Sequence, residues 1–418
     1  MTADTQLDDE LPPVSREPKE PTTVGEYITA WWVRVQSGDL GFLPIIVGLV
    51  VIVLIFGTLD SRYFSGRNFT NLLLQMAPFA TIAIGVVFVL LLAEIDLAIA
   101  FNSAVGGVVM TLLLRPDDPG LPWPVAVLVA LAITTAIGFV MGLIVTKAGV
   151  PSFVVSLAFN LGLNGVVLIL MIAFSSSGTI RIADETIRNV SNSFLPPLWG
   201  WILGAGTVVA YVGTELLRYR TRRQRGLPNK PVGILGMQLG GFAVIALGSV
   251  WYANSDRGVP FVMVVLGFFL VFWSFIAGRT RFGRHVYAVG GNPEAARRAG
   301  INVDRVKVAV FGIAGFMAGV GGIVLASRLQ SVATNSGGGP LLLNVIAAAV
   351  IGGTSLFGGS GKVVSALLGA LVIAAVENGM NLQNVSSGVK FVVTGLVLLA
   401  AVLADAFAKR RQAQSGVR

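Results

Sequence analysis

The 418-residue sequence contains no cysteine and a single histidine, His285. Without thiols the chain can form neither a disulfide nor a thiolate metal site. One imidazole excludes clustered-histidine metal sites and histidine-based catalytic triads. Charge is also scarce, since Asp, Glu, Lys and Arg make up 12% of the residues. These absences exclude the commonest metal-dependent and nucleophilic enzyme sites.

The chain is instead rich in apolar residues, with 54% hydrophobic residues and 51 glycines. Its hydrophobic blocks approach the ~20 residues that cross the hydrocarbon core of a bilayer. This pattern predicts an all-α polytopic membrane protein rather than a soluble one. The blocks lie at residues 42–59, 72–93, 98–114, 125–146, 153–173, 200–217, 232–252, 259–277, 308–326, 341–357, 363–380 and 389–406.

Polar or glycine-rich sequence interrupts this pattern near residues 94–97 and 352–361. Each stretch is either a tight turn or a broken, re-entrant segment, so we predict about 10–12 transmembrane helices. Irregular backbone at membrane depth occurs only where protein or a wet cavity surrounds it. Ser103-Ala104-x-x-Gly107 is echoed by Ser365-Ala366-x-x-Gly369, which hints at an internal repeat.

Positive charge is distributed unevenly over the predicted loops. With twelve crossings, one side carries 22 Lys and Arg residues and the other side carries 7. The positive-inside rule therefore places both termini and the loops around 218–230 and 278–307 in the cytoplasm, with 175–199 outside. The net charge of +9 reflects this sidedness and does not indicate nucleic-acid binding.

The ends of the chain differ from its apolar body. Residues 1–24 are acidic and proline-rich, which predicts a disordered tail without a signal peptide. Trp31-Trp32 beside Arg34 suits a helix at the membrane interface, or simple packing before the first span. We divide the chain into a cytoplasmic tail and interfacial helix (1–40), a transmembrane domain (41–408) and a second cytoplasmic tail (409–418).

Three pairs of glycines recur at helical spacing, at Gly138 and Gly142, Gly236 and Gly240, and Gly315 and Gly319. Small residues four apart let the backbones of two membrane helices approach closely. All three pairs therefore predict helix packing rather than chemistry.

The segment 278–307 is the longest strongly basic run between hydrophobic blocks. Asn292, Pro293 and Glu294 favour a helix start, because Asn caps, Pro suits the first position and Glu complements the positive end. Ala295, Ala296, Arg297, Arg298 and Ala299 continue the helix, and Gly300 can close it. A two-turn helix in a loop is either a docking element for a cytosolic partner or a solvated loop that sets topology.

The residues of this segment resemble those of a known protein family. The pattern Glu294-Ala295-Ala296-x-x-x-Gly300 resembles the coupling-loop motif of ABC importer permeases. Residues 287–292 and 300–303 resemble the ribose, xylose and branched-chain amino-acid permease family, and the likeness covers nearly all of the chain after about Tyr63. Further matching stretches lie at residues 64–73, 93–97, 150–157, 350–356 and 377–380.

The extra hydrophobic hairpin at 200–252 makes the chain most similar to xylose-type sugar permeases. One stretch departs from the family pattern. Residues 96–101 read DLAIAF where the family usually has D-L-S-V-G-S, so a small polar break becomes bulkier and apolar.

The resemblance implies the membrane subunit of an ABC importer for a xylose-like monosaccharide in a bacterial plasma membrane. It implies a permease homodimer, a cytosolic ATPase that holds ATP and Mg, and an extracytoplasmic sugar-binding protein. The chain itself would be no enzyme and hold no cofactor. Its one glycine-rich candidate, 358–362, lacks the first glycine and the Ser or Thr of a phosphate-binding loop.

Polar residues near the spans are candidates for the substrate path, because ionisable and amide groups are rare at membrane depth. Each has a plainer interpretation: the carboxylates can be solvated in a turn, and the amides can join helices. The same applies to Asn160 and Asn164. The candidates are Glu94, Asp96, Asn344, Glu377, Asn378 and Asn381.

Two other functional classes fit the same residues. An ion-coupled secondary transporter would use Glu94, Asp96 or Glu377 to carry protons, and its transport would need an ion gradient rather than ATP. A membrane scaffold or lipid-handling protein would leave the glycine-rich breaks without an evident purpose.

Overall fold

The computed structural model describes residues 23–36, 41, 43–116, 119–227 and 229–414. Most of the expected N-terminal tail and residues 415–418 lie outside these ranges. The helices are α1 Val24–Gln36, α2 Leu43–Leu59, α3 Gly66–Leu91, α4 Ile99–Leu113, α5 Trp123–Lys147, α6 Ser152–Phe174, α7 Glu185–Asn192, α8 Pro197–Gln224, α9 Val232–Asn254, α10 Val262–Arg279, α11 Arg281–Gly291, α12 Pro293–Arg298, α13 Val303–Leu329, α14 Leu341–Ile351, α15 Val364–Leu382 and α16 Ser387–Gln414. Two short strands, β1 Thr179–Arg181 and β2 Ser331–Ala333, pair antiparallel.

The prediction of an all-α polytopic membrane protein is confirmed. Within the described ranges, eight helices are long and apolar enough to cross a bilayer, and four shorter apolar helices accompany them. Together they match the twelve hydrophobic blocks. Two of the short helices, α4 with 15 residues and α14 with 11, fall below the ~20 residues of a full crossing. Non-helical backbone must therefore complete the path of the chain at both places.

Loop contacts divide the molecule into two faces. On one face, β1 pairs with β2, Arg257 donates to Asn71, and the Leu195 amide donates to the Val259 carbonyl. On the other face, the Gly359 amide donates to the Leu91 carbonyl, 2.9 Å away. We call the second face the basic face, because it carries two basic stretches. These are the Arg-rich C-terminal end of α8 and the segment that connects α10 to α13. This division follows the alternation that twelve crossings require.

The core consists of two inverted four-helix units, α3–α6 and α13–α16. Helix α13 lies against α4 and α5, and α3 lies in the corresponding way against α14 and α15. The pairs α4–α6 and α14–α16 correspond as well. Since α3 runs toward the basic face and α13 runs away from it, the repeat is inverted. The sequence echo paired Ser103 on α4 with Ser365 on α15, and these helices are not counterparts.

Glycines on both helices allow a close contact between α5 and α13 in the core. A Cβ on Gly138 would lie 2.2 Å from the Phe311 carbonyl oxygen, and one on Gly315 would lie 2.3 Å from the Thr134 carbonyl oxygen. Two of the three predicted glycine pairs therefore face each other across one interface. The third prediction is wrong within this chain: a Cβ on Gly236 or Gly240 would meet nothing within 4 Å.

These contacts make Gly138→Ala and Gly236→Ala a matched pair of substitutions. We expect Gly138→Ala to destabilise the fold by about 1–3 kcal/mol or more, because the added methyl group overpacks a backbone contact. Gly236→Ala should be neutral or stabilising, since alanine favours a helix by about 1 kcal/mol over glycine. Thermal unfolding of the purified variants, followed by size-exclusion chromatography, measures both. Equal melting temperatures would contradict the packing assignment.

The extra hairpin of α8 and α9 lies at the periphery of the core. Its two helices pack against each other through Tyr211 and Phe242, whose ring centroids are 4.2 Å apart. Gln238 donates to the Tyr211 hydroxyl at 2.6 Å. Most other side chains of the hairpin are exposed, and Val250 and Ala253 anchor its outer end near α3. The hairpin is therefore an attachment to the inverted repeat and not part of it.

Candidate coupling junction and transport path

The short helix expected near 293 is present as α12, on the basic face. Asn292 caps it with its side-chain oxygen, which accepts from the Ala295 amide at 2.9 Å. Gly300, at φ +81°, ends the turn, and the Ile301 amide donates to the Ala296 carbonyl. This is the left-handed exit that favours glycine. The local sequence signals for cap, start and stop are all used.

Helix α12 is exposed over almost all of its surface. Of residues 292–300, only Ala296 is buried, at 4% exposure. Glu294 and Arg297 form an exposed ion pair of 2.7 Å along the helix. Such a pair stabilises little by itself. An exposed short helix is marginal in water, so its rigidity depends on its caps and on whatever covers it.

Helix α11, which the sequence analysis did not separate, connects α12 to the core. The Thr280 hydroxyl caps its start by accepting from the Gly283 amide, and its own residues Val286 and Val289 are buried in the core. The Tyr287 hydroxyl donates to the Gly361 carbonyl at 2.8 Å. Burial raises the pKa of the Tyr287 phenol, which keeps this donor protonated. Helix α11 is therefore fixed to the stretch 352–361.

Three backbone segments meet beneath the end of α11. A Cβ on Gly290 would lie 1.7 Å from the Leu91 carbonyl oxygen and 2.9 Å from the Gly359 amide nitrogen. Gly358, at φ +81°, contacts Ala93, which itself has a positive φ of 58°. We call this contact the junction and define it by Gly290, Leu91, Ala93, Gly358 and Gly359. It brings both polar interruptions of the sequence to the helix that carries α12.

The first interruption, residues 94–97, runs from the junction into the helix bundle beside α6. The Ile95 amide donates to the Ser152 hydroxyl at 3.1 Å, and Asn160 donates to the Leu97 carbonyl at 2.6 Å. Ser152 and Asn160 are two helical turns apart, about 12 Å. The stretch 94–97 is thus extended and re-entrant, as one of the two sequence interpretations held, and Asn160 joins it to α6.

The two carboxylates of this stretch have structural partners. Glu94 forms an ion pair with Lys307 in the first turns of α13, and both side chains are largely buried. Asp96 is 4% exposed, and its Oδ1 accepts from the Ala98 amide at 2.8 Å beside the start of α4. Carboxylates at a helix start complement its positive end. Glu94 and Asp96 therefore hold the re-entrant stretch to α13 and α4.

A second group of candidate residues lies toward the opposite face. Asn344 on α14 donates from Nδ2 to Glu377 Oε1 on α15 at 2.6 Å. The charges of Arg328 and Lys390 act on the Glu377 carboxylate. Asn344 is fully buried, and its Oδ1 has no hydrogen-bond partner among the residues that the structure describes. This pair is separate from the junction.

The remaining two amides have different surroundings. Asn378 is 2% exposed, and its Oδ1 accepts from Asn68 on α3 at 2.8 Å. Such a bond joins two helices, which is the plainer interpretation of this residue. Asn381 is exposed at the end of α15, where Lys390 donates to its side chain. The candidates of the sequence thus separate into the carboxylates of the stretch 94–97, the Asn344–Glu377 pair, the bond between helices at Asn378 and the exposed amide of Asn381.

An exchange of charges tests the role of Glu94. Lys307→Met should destabilise the protein by about 3–5 kcal/mol, because it leaves a carboxylate largely buried without its partner. The double variant Glu94→Lys with Lys307→Glu should recover most of the loss. Melting temperatures of Glu94→Lys, Lys307→Glu and the double variant measure the coupling. If the losses of stability of the two single variants simply add in the double variant, the ion pair is excluded as a structural element.

The sequence analysis missed three parts of this arrangement. It did not identify Gly290 as a contact residue, because a glycine in a basic loop has no distinguishing pattern. It assigned no partner to Glu94, since Lys307 is 213 residues away. It also overlooked the irregular segment 330–340, although three successive glycines and a proline there signal broken backbone.

Comparison with known proteins gives one consistent result. The family described as "Branched-chain amino acid transport system / permease component" matches residues 68–402. The xylose transport system permease protein XylH of Escherichia coli (strain K12) is 39% identical over 380 residues, which are 90% of this chain and 94% of that protein. XylH of Haemophilus influenzae is 34% identical over 90% of this chain and 99% of its own length.

The ribose import permease protein RbsC of Escherichia coli (strain K12) is 32% identical over 379 residues, which are 91% of this chain and 96% of that protein. No solved structure matches the chain.

Proposed function

Because the chain belongs to the family of branched-chain amino acid transport system permease components, we propose that it is the membrane subunit of an ABC importer that carries a monosaccharide into the cytoplasm. Its relatives are named as permeases of xylose and ribose systems and not as enzymes. The observation that carries the proposal is the exposed, capped helix α12 above the junction. A docking element for a separate ATPase subunit must be exposed and must hold its own helical shape, and α12 meets both requirements.

In this mechanism a cytosolic ATPase binds α12 and moves it during ATP hydrolysis. Helix α11 passes the movement to the junction, because Gly290 touches the backbone of Leu91, at the end of α3 just before the first interruption, and of Gly359 in the second interruption. The first interruption leads into α4, and the second lies between α14 and α15. Packed backbone transmits displacement because protein interiors are dense and resist compression. One movement on the basic face thus reaches the short helices of both inverted units.

The orientation follows from the charge distribution. The positive-inside rule places the basic face in the cytoplasm of a bacterial cell, together with both termini. An extracytoplasmic sugar-binding protein then delivers substrate to the opposite face, and a second copy of the permease completes the path. ATP and Mg belong to the ATPase.

An ion-coupled transporter is the second candidate. Its proton carriers would be Glu94, Asp96 or Glu377, and the structure gives each of them a polar partner. Glu94 is paired with Lys307, Asp96 accepts from the start of α4, and Glu377 accepts from Asn344. Groups held in such contacts are better explained as structural anchors than as carriers that must exchange protons with water.

Reconstitution tests the proposal. The permease is co-expressed with the ATPase and binding protein encoded beside it, purified as a complex and placed in proteoliposomes. We expect uptake of radiolabelled D-xylose or D-ribose to require the binding protein and ATP, and to persist when ionophores remove ion gradients. Uptake by the permease alone, driven by a proton gradient, would overturn the proposal in favour of the second candidate.

A further inference from the structure

Helix α8 ends on the basic face in a dense group of cations that the proposed function does not use. Between residues 218 and 231 the sequence contains five arginines, one lysine and no carboxylate. All six cations are exposed. We call them the α8 cation cluster, which consists of Arg218, Arg220, Arg222, Arg223, Arg225 and Lys230.

The chain itself balances little of this charge. Glu215 pairs with Arg218 at 2.6 Å. In the part of the chain that the structure describes, no ion pair joins Arg220, Arg223 or Arg225 to a carboxylate. Like charges this close together repel one another, and an anionic partner would relieve the repulsion. The cluster therefore favours a partner that brings negative charge.

The opposite end of the α8–α9 hairpin indicates how deep the hairpin lies in the bilayer. The Asn254 side chain donates to the Pro197 carbonyl at 3.4 Å, so the outer ends of the two helices are level. Trp199, Trp201 and Trp251 are exposed and lie within four residues of this bond. Tryptophan is enriched where a membrane protein crosses the membrane–water interface. These three side chains therefore mark the outer edge of the hydrocarbon core.

The cluster begins where α8 leaves the hydrocarbon core on the other side. Arg218 follows Trp201 by 17 residues and Trp199 by 19 residues on the same helix. At about 1.5 Å per residue, these separations are about 26–29 Å. The hydrocarbon core is about 30 Å thick, and the headgroup layer adds about 5–8 Å on each side. Residues 218–225 span about 10 Å, so they pass through the depth of the headgroups.

We propose that the α8 cation cluster is a binding surface for anionic phospholipid headgroups. Guanidinium groups donate two parallel N–H bonds to a phosphate, which makes arginine a preferred partner of phosphate groups. A group of about four to eight basic residues directly beside a membrane helix attracts anionic lipids. The inference concerns the hairpin alone, and it holds whether or not the chain imports a sugar.

The connection between α8 and α9 keeps the last cation of the cluster beside the helices. Asn229 donates to the Tyr219 carbonyl at 3.3 Å, so the connection folds back onto α8. Lys230 donates to the Gln238 side chain on α9 at 2.9 Å, and Gln238 donates to the Tyr211 hydroxyl. These bonds hold the Lys230 ammonium group near the membrane surface, close to the arginines.

The arrangement of the arginines favours lipid over an acidic protein surface. At about 100° per residue, Arg220 and Arg223 lie on the other side of α8 from Arg218 and Arg225. Headgroups that surround a helix can reach both sides, whereas one rigid protein surface can reach only one. The body of the hairpin also suits lipid chains, because its apolar side chains Val209, Val244 and Ile245 are exposed.

Lipid-specific quenching tests the proposal, because the chain has no cysteine of its own. Gln224→Cys places a single thiol within the cluster, where it is labelled with the fluorophore bimane. The labelled protein is reconstituted in phosphatidylcholine vesicles with a small fraction of doxyl-labelled phosphatidylglycerol or doxyl-labelled phosphatidylcholine. These two quenchers differ only in the headgroup. We expect phosphatidylglycerol to quench at least several-fold more strongly, and equal quenching by the two lipids would overturn the proposal.

Ala148→Cys is the matched control position. Ala148 is exposed at the end of α5 on the same face, and Lys147 is the single charged residue of the sequence 141–151. The two labelled lipids should quench bimane at this position about equally. The same preference for phosphatidylglycerol at both positions would reflect the net charge of the whole protein, and a binding surface on α8 would be excluded.

Two triple variants in the Gln224→Cys background show whether the arginines cause the preference. Changing Arg220, Arg223 and Arg225 to glutamine removes three charges but keeps good helix formers. The preference for phosphatidylglycerol should then fall by more than half. Changing the same residues to lysine keeps the charges and should retain most of it. A preference that survives the glutamine variant, or one that the lysine variant loses equally, would contradict attraction by the cluster charge.

The remaining outcomes separate this inference from the proposed function. If the glutamine variant keeps its preference for phosphatidylglycerol but binds less ATPase in co-purification, the cluster docks the ATPase and the lipid surface is wrong. If the preference depends on the arginines but ATP-driven sugar uptake is absent, the lipid surface stands and the importer proposal fails.

Discussion

Replacement of Gly290 by alanine is expected to stop sugar uptake while the ATPase stays bound. The added Cβ would lie 1.7 Å from the Leu91 carbonyl oxygen, closer than any real contact, so α11 must move away from the junction. Overpacking of this kind costs about 1–3 kcal/mol or more. Helix α12 keeps its own caps and exposed surface and can still bind the ATPase. The ATPase would then move a helix that no longer contacts Leu91 and Gly359.

The adjacent glycine is the control for this experiment. A Cβ on Gly291 would meet nothing within 4 Å, although the residue lies in the same last turn of α11. Gly291→Ala should therefore transport normally. The measurements are co-purification of the ATPase, ATP hydrolysis and uptake into proteoliposomes for both variants. Normal uptake by Gly290→Ala would mean that the junction transmits nothing, and loss of the ATPase from this variant would assign Gly290 to docking.

Substitutions that disturb α12 itself should instead remove the ATPase. Gly300→Val requires a β-branched residue at φ +81°, a conformation that such residues strongly resist, so the exit of the helix is strained. Glu294→Pro forces the preceding Pro293 out of helical geometry and removes the carboxylate from the helix start. We expect both variants to insert into the membrane and form permease dimers, but to lose ATPase association and transport together.

A valine in the same connection provides the control. Gly278 lies in the last turn of α10, without a positive φ and with nothing within 4 Å of its added Cβ. Gly278→Val should retain the ATPase and uptake. Co-purification of wild-type amounts of ATPase with both α12 variants would reduce α12 to a solvated loop. The importer proposal would then lose the observation that carries it.

Together, the Gly290 and α12 variants separate binding of the motor from transmission of its movement. Both types of variant lose transport, but only the α12 variants lose the ATPase. This difference follows from burial. Residues 292–300 are exposed except for Ala296, whereas Gly290 is buried against two other segments.

The sequence by itself determined where the apolar helices lie and which face of the membrane is basic. Length and hydrophobicity are local properties, so the twelve blocks could be identified without knowledge of their neighbours. The caps of α12 were readable for the same reason: Asn292 and Gly300 act on residues within four positions of themselves. The resemblance of the residues around this helix to ABC importer permeases added the expectation of a cytosolic ATPase partner. No local pattern could supply that expectation.

Tertiary structure alone decided what the polar residues contact. Glu94 and Lys307 are far apart in the chain, and only the packing of α13 against the first unit brings them together. The sequence could not show that Asn378 bonds to Asn68 while Asn344 bonds to Glu377, because both are amides in apolar helices. The inverted order of the repeat was hidden for the same reason. Because the first interruption lies between α3 and α4, its counterpart is the connection between α13 and α14 and not the second interruption. Sequence similarity between short apolar segments does not show in which direction a segment crosses the membrane.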